Sequence, residues 1–109
     1  MQPTRINYFT PAGEILAVAL ELSSGSWKIG LHDGKREKPA IQTVSANSAA
    51  SRLEQTVQEI EKIKEKWGLA PNVRTVVLYE SGQDGFWIAR ALSKFGYEPL
   101  ICDPASIPV

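Results

Sequence analysis

The segment Ile15 to Leu22, I-L-A-V-A-L-E-L, constrains this chain most: it is apolar throughout except for one carboxylate, Glu21. It is far shorter than the ~20 residues a membrane span needs, and a short continuous apolar run fits a strand covered on both faces at the centre of a sheet. Such a strand makes two demands. Other elements must cover it, and Glu21 must find water, a cation or a metal, because an unpaired buried carboxylate is costly. At 109 residues, with 43% hydrophobic side chains, the chain can build one compact core of this kind and not two.

The flanking pattern supplies the neighbours of that strand. Met1 to Gly13 holds Pro3, Pro11 and Gly13 without sustained periodicity and reads as an irregular lead-in, leaving residues 14–109 as the folded unit. Ser23-Ser24-Gly25-Ser26 offers a turn, Trp27 to His32 alternates, Asp33-Gly34 is a hairpin signal, and Ala40 to Val44 is a third short strand. An antiparallel meander follows. From about Ser48 to Trp67 the period changes, with Leu53, Val57, Ile60, Ile63 and Trp67 forming one apolar helix face. Ser51 with Glu54 is a candidate capping box, with Ser48 an earlier possible start, and Gly68 and Pro71 mark the end. Glu59 with Lys62 and Glu61 with Lys64 are spaced to pair on the wet face of that helix.

Arg74 to Tyr79 is rich in strand formers and ends at Glu80, before the loop Ser81 to Gly85. Trp87, Ile88, Ala91, Leu92 and Phe95 then define a short amphipathic helix, with Asp84 a candidate N-cap and Gly96 a stop, and Glu98 to Cys102 is a last strand. The order β-β-β-α-β-α-β predicts an α/β fold: a mixed five-stranded sheet in the ribonuclease H-like order, its crossovers right-handed. In that arrangement the first strand is flanked by the second and fourth.

Composition narrows the function. Lys plus Arg (12) offsets Asp plus Glu (12), so the chain lacks the basic excess of a nucleic-acid binder, and phosphate contacts of a DNA-handling protein would lie elsewhere. The start has no charged-then-apolar signal pattern, which together with the absence of an apolar span predicts a cytoplasmic protein without a membrane partner. Cys102, the sole cysteine, lies in an apolar strand and reads as a buried, reduced packing residue. A single histidine, His32, ends a strand and leaves no Ser/His/Asp triad to assemble. Trp27, Trp67 and Trp87 sit on periodic elements, as core residues do. Gly82-x-x-Gly85 lacks the Gly-Lys-Ser/Thr ending of a nucleotide loop and reads as a tight turn.

Glu21 and Glu80 carry the chemical signal, since each sits at the carboxyl end of a strong apolar strand. If the two strands are parallel neighbours, about 4.8 Å apart, both carboxylates meet at one sheet edge. Two such groups repel unless a divalent cation lies between them, and hard oxygen ligands suit Mg²⁺ or Mn²⁺. Asp103 ends the last strand near that edge, where a turn beside Pro104 accounts for it.

Three runs then carry a family resemblance: A-V-A-L-E-L-S-S-G-S-W-K (Ala17 to Lys28), Y-E-S-G-Q-D-G-F-W-I-A-R-A-L (Tyr79 to Leu92) and D-P-A-S-I (Asp103 to Ile107). Over about Leu16 to Val109 the chain resembles the N-terminal, RuvC-like domain of DEDD transposases of the IS-one-ten/IS-eleven-eleven insertion-sequence group. The resemblance implies a metal-dependent nuclease and recombinase whose intact form acts on DNA with a structured guide RNA, as a homo-oligomer. It places Glu80 at the family's glutamate and Glu21 at the first-strand position, where the family usually has aspartate. The family's last two acidic residues belong to a Lys-Thr/Ser-Asp-Arg-x-Asp segment beyond Val109, so the domain is expected to stop short of its final helix. Asp103 matches the D-P-A-S-I ending and is not one of the four.

With Glu21 and Glu80 as the catalytic and metal ligands, residues 1–109 alone are expected to hold Mg²⁺ or Mn²⁺ poorly and not to cut DNA. Two other classes remain open, the first sharing the initial meander. An actin-like or sugar-kinase half-domain would bind nucleotide phosphate at the first hairpin, where Asp-x-Gly is expected and Glu21-Leu22-Ser23-Ser24-Gly25 stands instead. A non-catalytic ribonuclease H-like assembly domain would show no effect of metal.

Overall fold

The computed structural model describes residues 14–80 and 85–102. The proposed lead-in, the Gly82-x-x-Gly85 turn, the Asp84 cap and Asp103 lie wholly or partly outside them. The elements are β1 (Ile15–Leu22), β2 (Ser26–His32), β3 (Ala40–Ser45), α1 (Ala49–Lys66), β4 (Arg74–Glu80), α2 (Gly85–Lys94) and β5 (Glu98–Cys102). One five-stranded sheet runs in the order β3-β2-β1-β4-β5. β1 to β3 form the antiparallel meander, while β4 pairs parallel to β1 and β5 parallel to β4. This is the ribonuclease H-like α/β arrangement that the sequence predicts, with β1 at its centre.

Burial alternates along β1, β2 and β4, as it must in strands with one covered face. Leu16, Val18 and Leu20 of β1, Trp27, Ile29 and Leu31 of β2, Val44 of β3, and Val77 and Tyr79 of β4 pack into one core with Leu53, Ile60 and Ile63 of α1 and Ile88 and Leu92 of α2. Both helices therefore cover the same face. The expectation that β1 is covered on both faces is corrected here: Ile15, Ala17 and Ala19 are exposed. Its run of apolar residues hides a period of two, because small alanines occupy the open side.

The ends of α1 are set locally. Ser48 is the N-cap, its hydroxyl accepting from the Ser51 N–H at 3.1 Å, so Ser51 lies inside the first turn and the Ser51–Glu54 capping box does not form. At the other end Gly68 takes φ 68°, and the N–H groups of Gly68 and Leu69 return to the carbonyls of Glu65 (3.2 Å) and Lys64 (2.8 Å). That 5→2 and 6→1 pair is a Schellman stop. The face read from the sequence is buried at Leu53, Ile60 and Ile63 and partly buried at Val57 and Trp67. Phe95, expected on the buried face of the second helix, lies past its end and is exposed.

Candidate active site at the carboxyl edge of the sheet

Parallel pairing of β1 with β4 matches Leu20 with Tyr79, so the next residues, Glu21 and Glu80, stand side by side at the ends of neighbouring strands. Both alternate outward, onto the open face, and both are exposed. The row through them continues to Lys28 and Thr43 on one side and to Cys102 on the other. Lys28 Nζ lies 3.9 Å from Glu21 Oε1, a loose ion pair between exposed groups that screening reduces to little.

Neighbouring elements hold the edge in place. The Tyr79 side chain passes to the covered face, where its buried hydroxyl donates to the Gly85 carbonyl at 2.8 Å and ties the start of α2 to the end of β4. Burial raises the Tyr79 phenol above its ordinary value, so it stays a donor. Phe86, next along α2, is 76% exposed. Behind the edge Arg52 of α1 is buried, donating to the Ala46 carbonyl at 2.6 Å with its guanidinium 5.7 Å from the Trp27 ring, and its Nε has no hydrogen-bond partner. Arg52 does not stand out in the sequence, because an arginine in a helix has nothing unusual in its spacing, whereas Phe86 belongs to the Tyr79 to Leu92 run that carries the family resemblance.

The donor set fits a hard divalent cation in kind and falls short in number. Carboxylate oxygens on adjacent strand ends are the donor type that a hard divalent cation takes, and no group of three or more His, Cys, Asp or Glu side chains converges among the described residues. His32 ends β2 as the sequence suggests and is engaged locally, its Nδ1 accepting from the Gly34 N–H at 2.8 Å. Cys102, expected to be buried, is only half-buried, because it shares the outward row of Glu80, and it is free. No helix among the described residues is long and apolar enough to cross a membrane.

Fold and edge together define a class: a ribonuclease H-like α/β domain with two carboxylates at the carboxyl ends of its central parallel strands. A Sinorhizobium fredii protein named "Putative transposase y4rJ" is 38% identical to this chain over 92 residues, 84% of the chain. The match spans 23% of that relative's length. No family model matches the chain. An exopolyphosphatase from Cytophaga hutchinsonii superposes with a TM-score of 0.53 at 11% identity, over 84% of this chain and 35% of that one. A Ppx/GppA family member from Aquifex aeolicus does so with a TM-score of 0.50 at 12% identity, over 84% and 36%. At such identities the two structures show the shared fold alone.

Proposed function

We propose that this chain is the front part of the nuclease domain of a DEDD-type transposase, with Glu21 and Glu80 as two of its metal-binding carboxylates. The observation that carries the reading is the 38% identity with the S. fredii relative over 84% of the chain. The side-by-side placement of Glu21 and Glu80 supports the site. A divalent cation bound there would activate the attacking oxygen and stabilise the leaving one. Glu21 and Glu80 would hold it from adjacent strands. The intact protein, in this reading, cuts and rejoins DNA, with guide RNA and self-association as properties of the longer polypeptide.

The fold likeness to the exopolyphosphatases favours a second reading, phosphate chemistry of the actin-like kind at the first hairpin. The turn there, Ser23-Ser24-Gly25, follows a glutamate and lacks the expected Asp-x-Gly. The test incubates the 109-residue chain, the full-length protein and its Glu80→Gln and Glu21→Gln variants with labelled DNA in Mn²⁺. Cutting by the full-length protein is expected to vanish in Glu80→Gln while its circular dichroism stays unchanged, and the short chain is expected not to cut. Full activity in Glu80→Gln, or cutting by the short chain, rejects the site. Saturable nucleotide binding by calorimetry supports the second reading instead.

A further inference from the structure

Phe86 is the most exposed large apolar side chain among the described residues, and the packing of α2 holds it there. Its helix is anchored from the opposite side: Ile88 and Leu92 are fully buried, and Trp87 and Ala91 pack partly against the core. The Tyr79 hydroxyl fixes the Gly85 carbonyl, so α2 starts at the carboxyl edge, one strand residue away from Glu80. At about 3.6 residues per turn Phe86, Arg90 and Lys94 share the outward side of α2, spaced about 6 Å apart along its axis, and all three are exposed. A helical side chain lies over the turn before its own, so the ring leans toward the edge that holds Glu80. One exposed aromatic is ordinary on a protein surface. An aromatic followed by two cations on one ridge that begins at a carboxylate edge is a more specific arrangement.

The charges on this ridge are available. Arg90 and Lys94 form no ion pair among the described residues, whereas six other cations do, and α2 itself contains no acidic residue. A ring beside two cations suits a polyanion that carries flat apolar faces. An unpaired nucleic-acid strand is such a polyanion, its bases stacking on the aromatic while its phosphates meet the cations. A duplex keeps its bases stacked on one another and leaves Phe86 without a partner. A second copy laid ridge on ridge sets Arg90 against Arg90, and a partner helix needs a contiguous apolar stripe where a single ring stands.

We infer that the Phe86–Arg90–Lys94 ridge guides a single-stranded segment of DNA to the carboxyl edge, with a base stacked on Phe86 and adjoining phosphates on Arg90 and Lys94. The inference rests on the reading that DNA is cut at Glu21 and Glu80, which selects DNA over RNA: the strand that reaches that edge is the one to be cut. Two cations supply two phosphate contacts at most, so the ridge orients the strand and leaves the main affinity to other parts of the longer protein.

The test measures binding of the full-length protein to a labelled oligothymidylate, to its RNA counterpart and to duplex DNA, by fluorescence anisotropy in EDTA across a salt series. Phe86→Ala is expected to weaken oligothymidylate binding by about fivefold or more, the loss of one stacked base, with the salt slope unchanged. Phe86→Trp, which keeps a face for stacking, is expected to bind as the parent does. Arg90→Gln and Lys94→Gln are each expected to lower the slope by about 0.7, the share of one phosphate on a single strand. Duplex affinity is expected to hold in Phe86→Ala. Unchanged oligothymidylate binding in Phe86→Ala, an equal loss on duplex DNA, or a loss confined to RNA overturns the proposal. Dissociation of an oligomer by Phe86→Ala in sedimentation assigns the ridge to a second copy and overturns it as well. Should Phe86→Ala fail to fold, the Arg90→Gln slope decides alone. Without divalent metal the measurement does not pass through Glu21 and Glu80. The ridge can therefore fail while Glu80→Gln still abolishes cutting, and hold while Glu80→Gln leaves cutting intact.

Discussion

Lys64 is the residue at which the wet-face reading of α1 breaks down. Its side chain is buried, donates to the Pro71 carbonyl at 3.0 Å, pairs with Glu61 at 2.9 Å and lies 5.2 Å from the Tyr97 ring. Tyr97 in turn donates its hydroxyl to the same Glu61 carboxylate. Burial raises the Glu61 pKa, but the hydrogen bonds from Tyr97 and Lys64 outweigh it and leave the group below its ordinary value of 4.5. A depressed carboxylate contributes stability above its unfolded pKa and loses it as pH falls through the folded one. Glu61→Gln is therefore expected to narrow the stability gap from the parent as pH drops below about 4.5, and to destabilise most near neutrality. Urea unfolding at a series of pH values measures this, and a pH-independent difference would show that Glu61 acts by packing alone. The i,i+3 spacing was legible in the sequence. That Pro71 and Tyr97 close over the pair was not, because both come from beyond the helix.

At the scale of elements the periodicities were informative. The long helix was bounded to within a residue or two because Leu53, Ile60 and Ile63 repeat at helical spacing and Gly68 stops the chain where the apolar face ends. Glu21 and Glu80 were legible as a pair for a similar reason: each interrupts a strand whose other residues are apolar or β-forming, and the crossover order brings the two strands together. The open face of β1 was not, since alanine counts as apolar in either orientation and only the sheet shows that Ala17 and Ala19 face outward. Two substitutions separate the contributions of α1. Ile60 is fully buried between α1 and the sheet, so Ile60→Ala is expected to cost about 2–4 kcal/mol. Ser48→Ala removes the cap and is expected to cost about 1 kcal/mol. Chemical denaturation gives both, and an Ile60→Ala loss below that of Ser48→Ala would mean that α1 is held by its ends and not by its face.

For the whole molecule, charge decides how much of any DNA encounter this domain can carry. Its twelve cationic side chains are matched by twelve acidic ones, and at least six of the cations already face carboxylates within 4 Å: Lys28, Lys35, Arg36, Lys62, Lys64 and Arg74. Binding a phosphate backbone with these groups means breaking ion pairs, while Glu21 and Glu80 repel phosphate at the edge where cutting is proposed. The 109-residue chain is therefore expected to bind duplex DNA weakly at physiological salt, with log K falling by less than about two for each tenfold rise in salt, as for one or two phosphate contacts. The full-length protein, if it acts on DNA, needs a steeper slope supplied from outside this domain. Mn²⁺ is expected to tighten binding by the full-length protein more than by its Glu80→Gln variant, because a cation held at the edge replaces repulsion with attraction. Fluorescence anisotropy across a salt series, with and without Mn²⁺, measures all three. A slope for the short chain equal to that of the full-length protein would place the DNA path on this domain despite its neutral balance, and the proposed division between a carboxylate edge here and phosphate contacts elsewhere would fall.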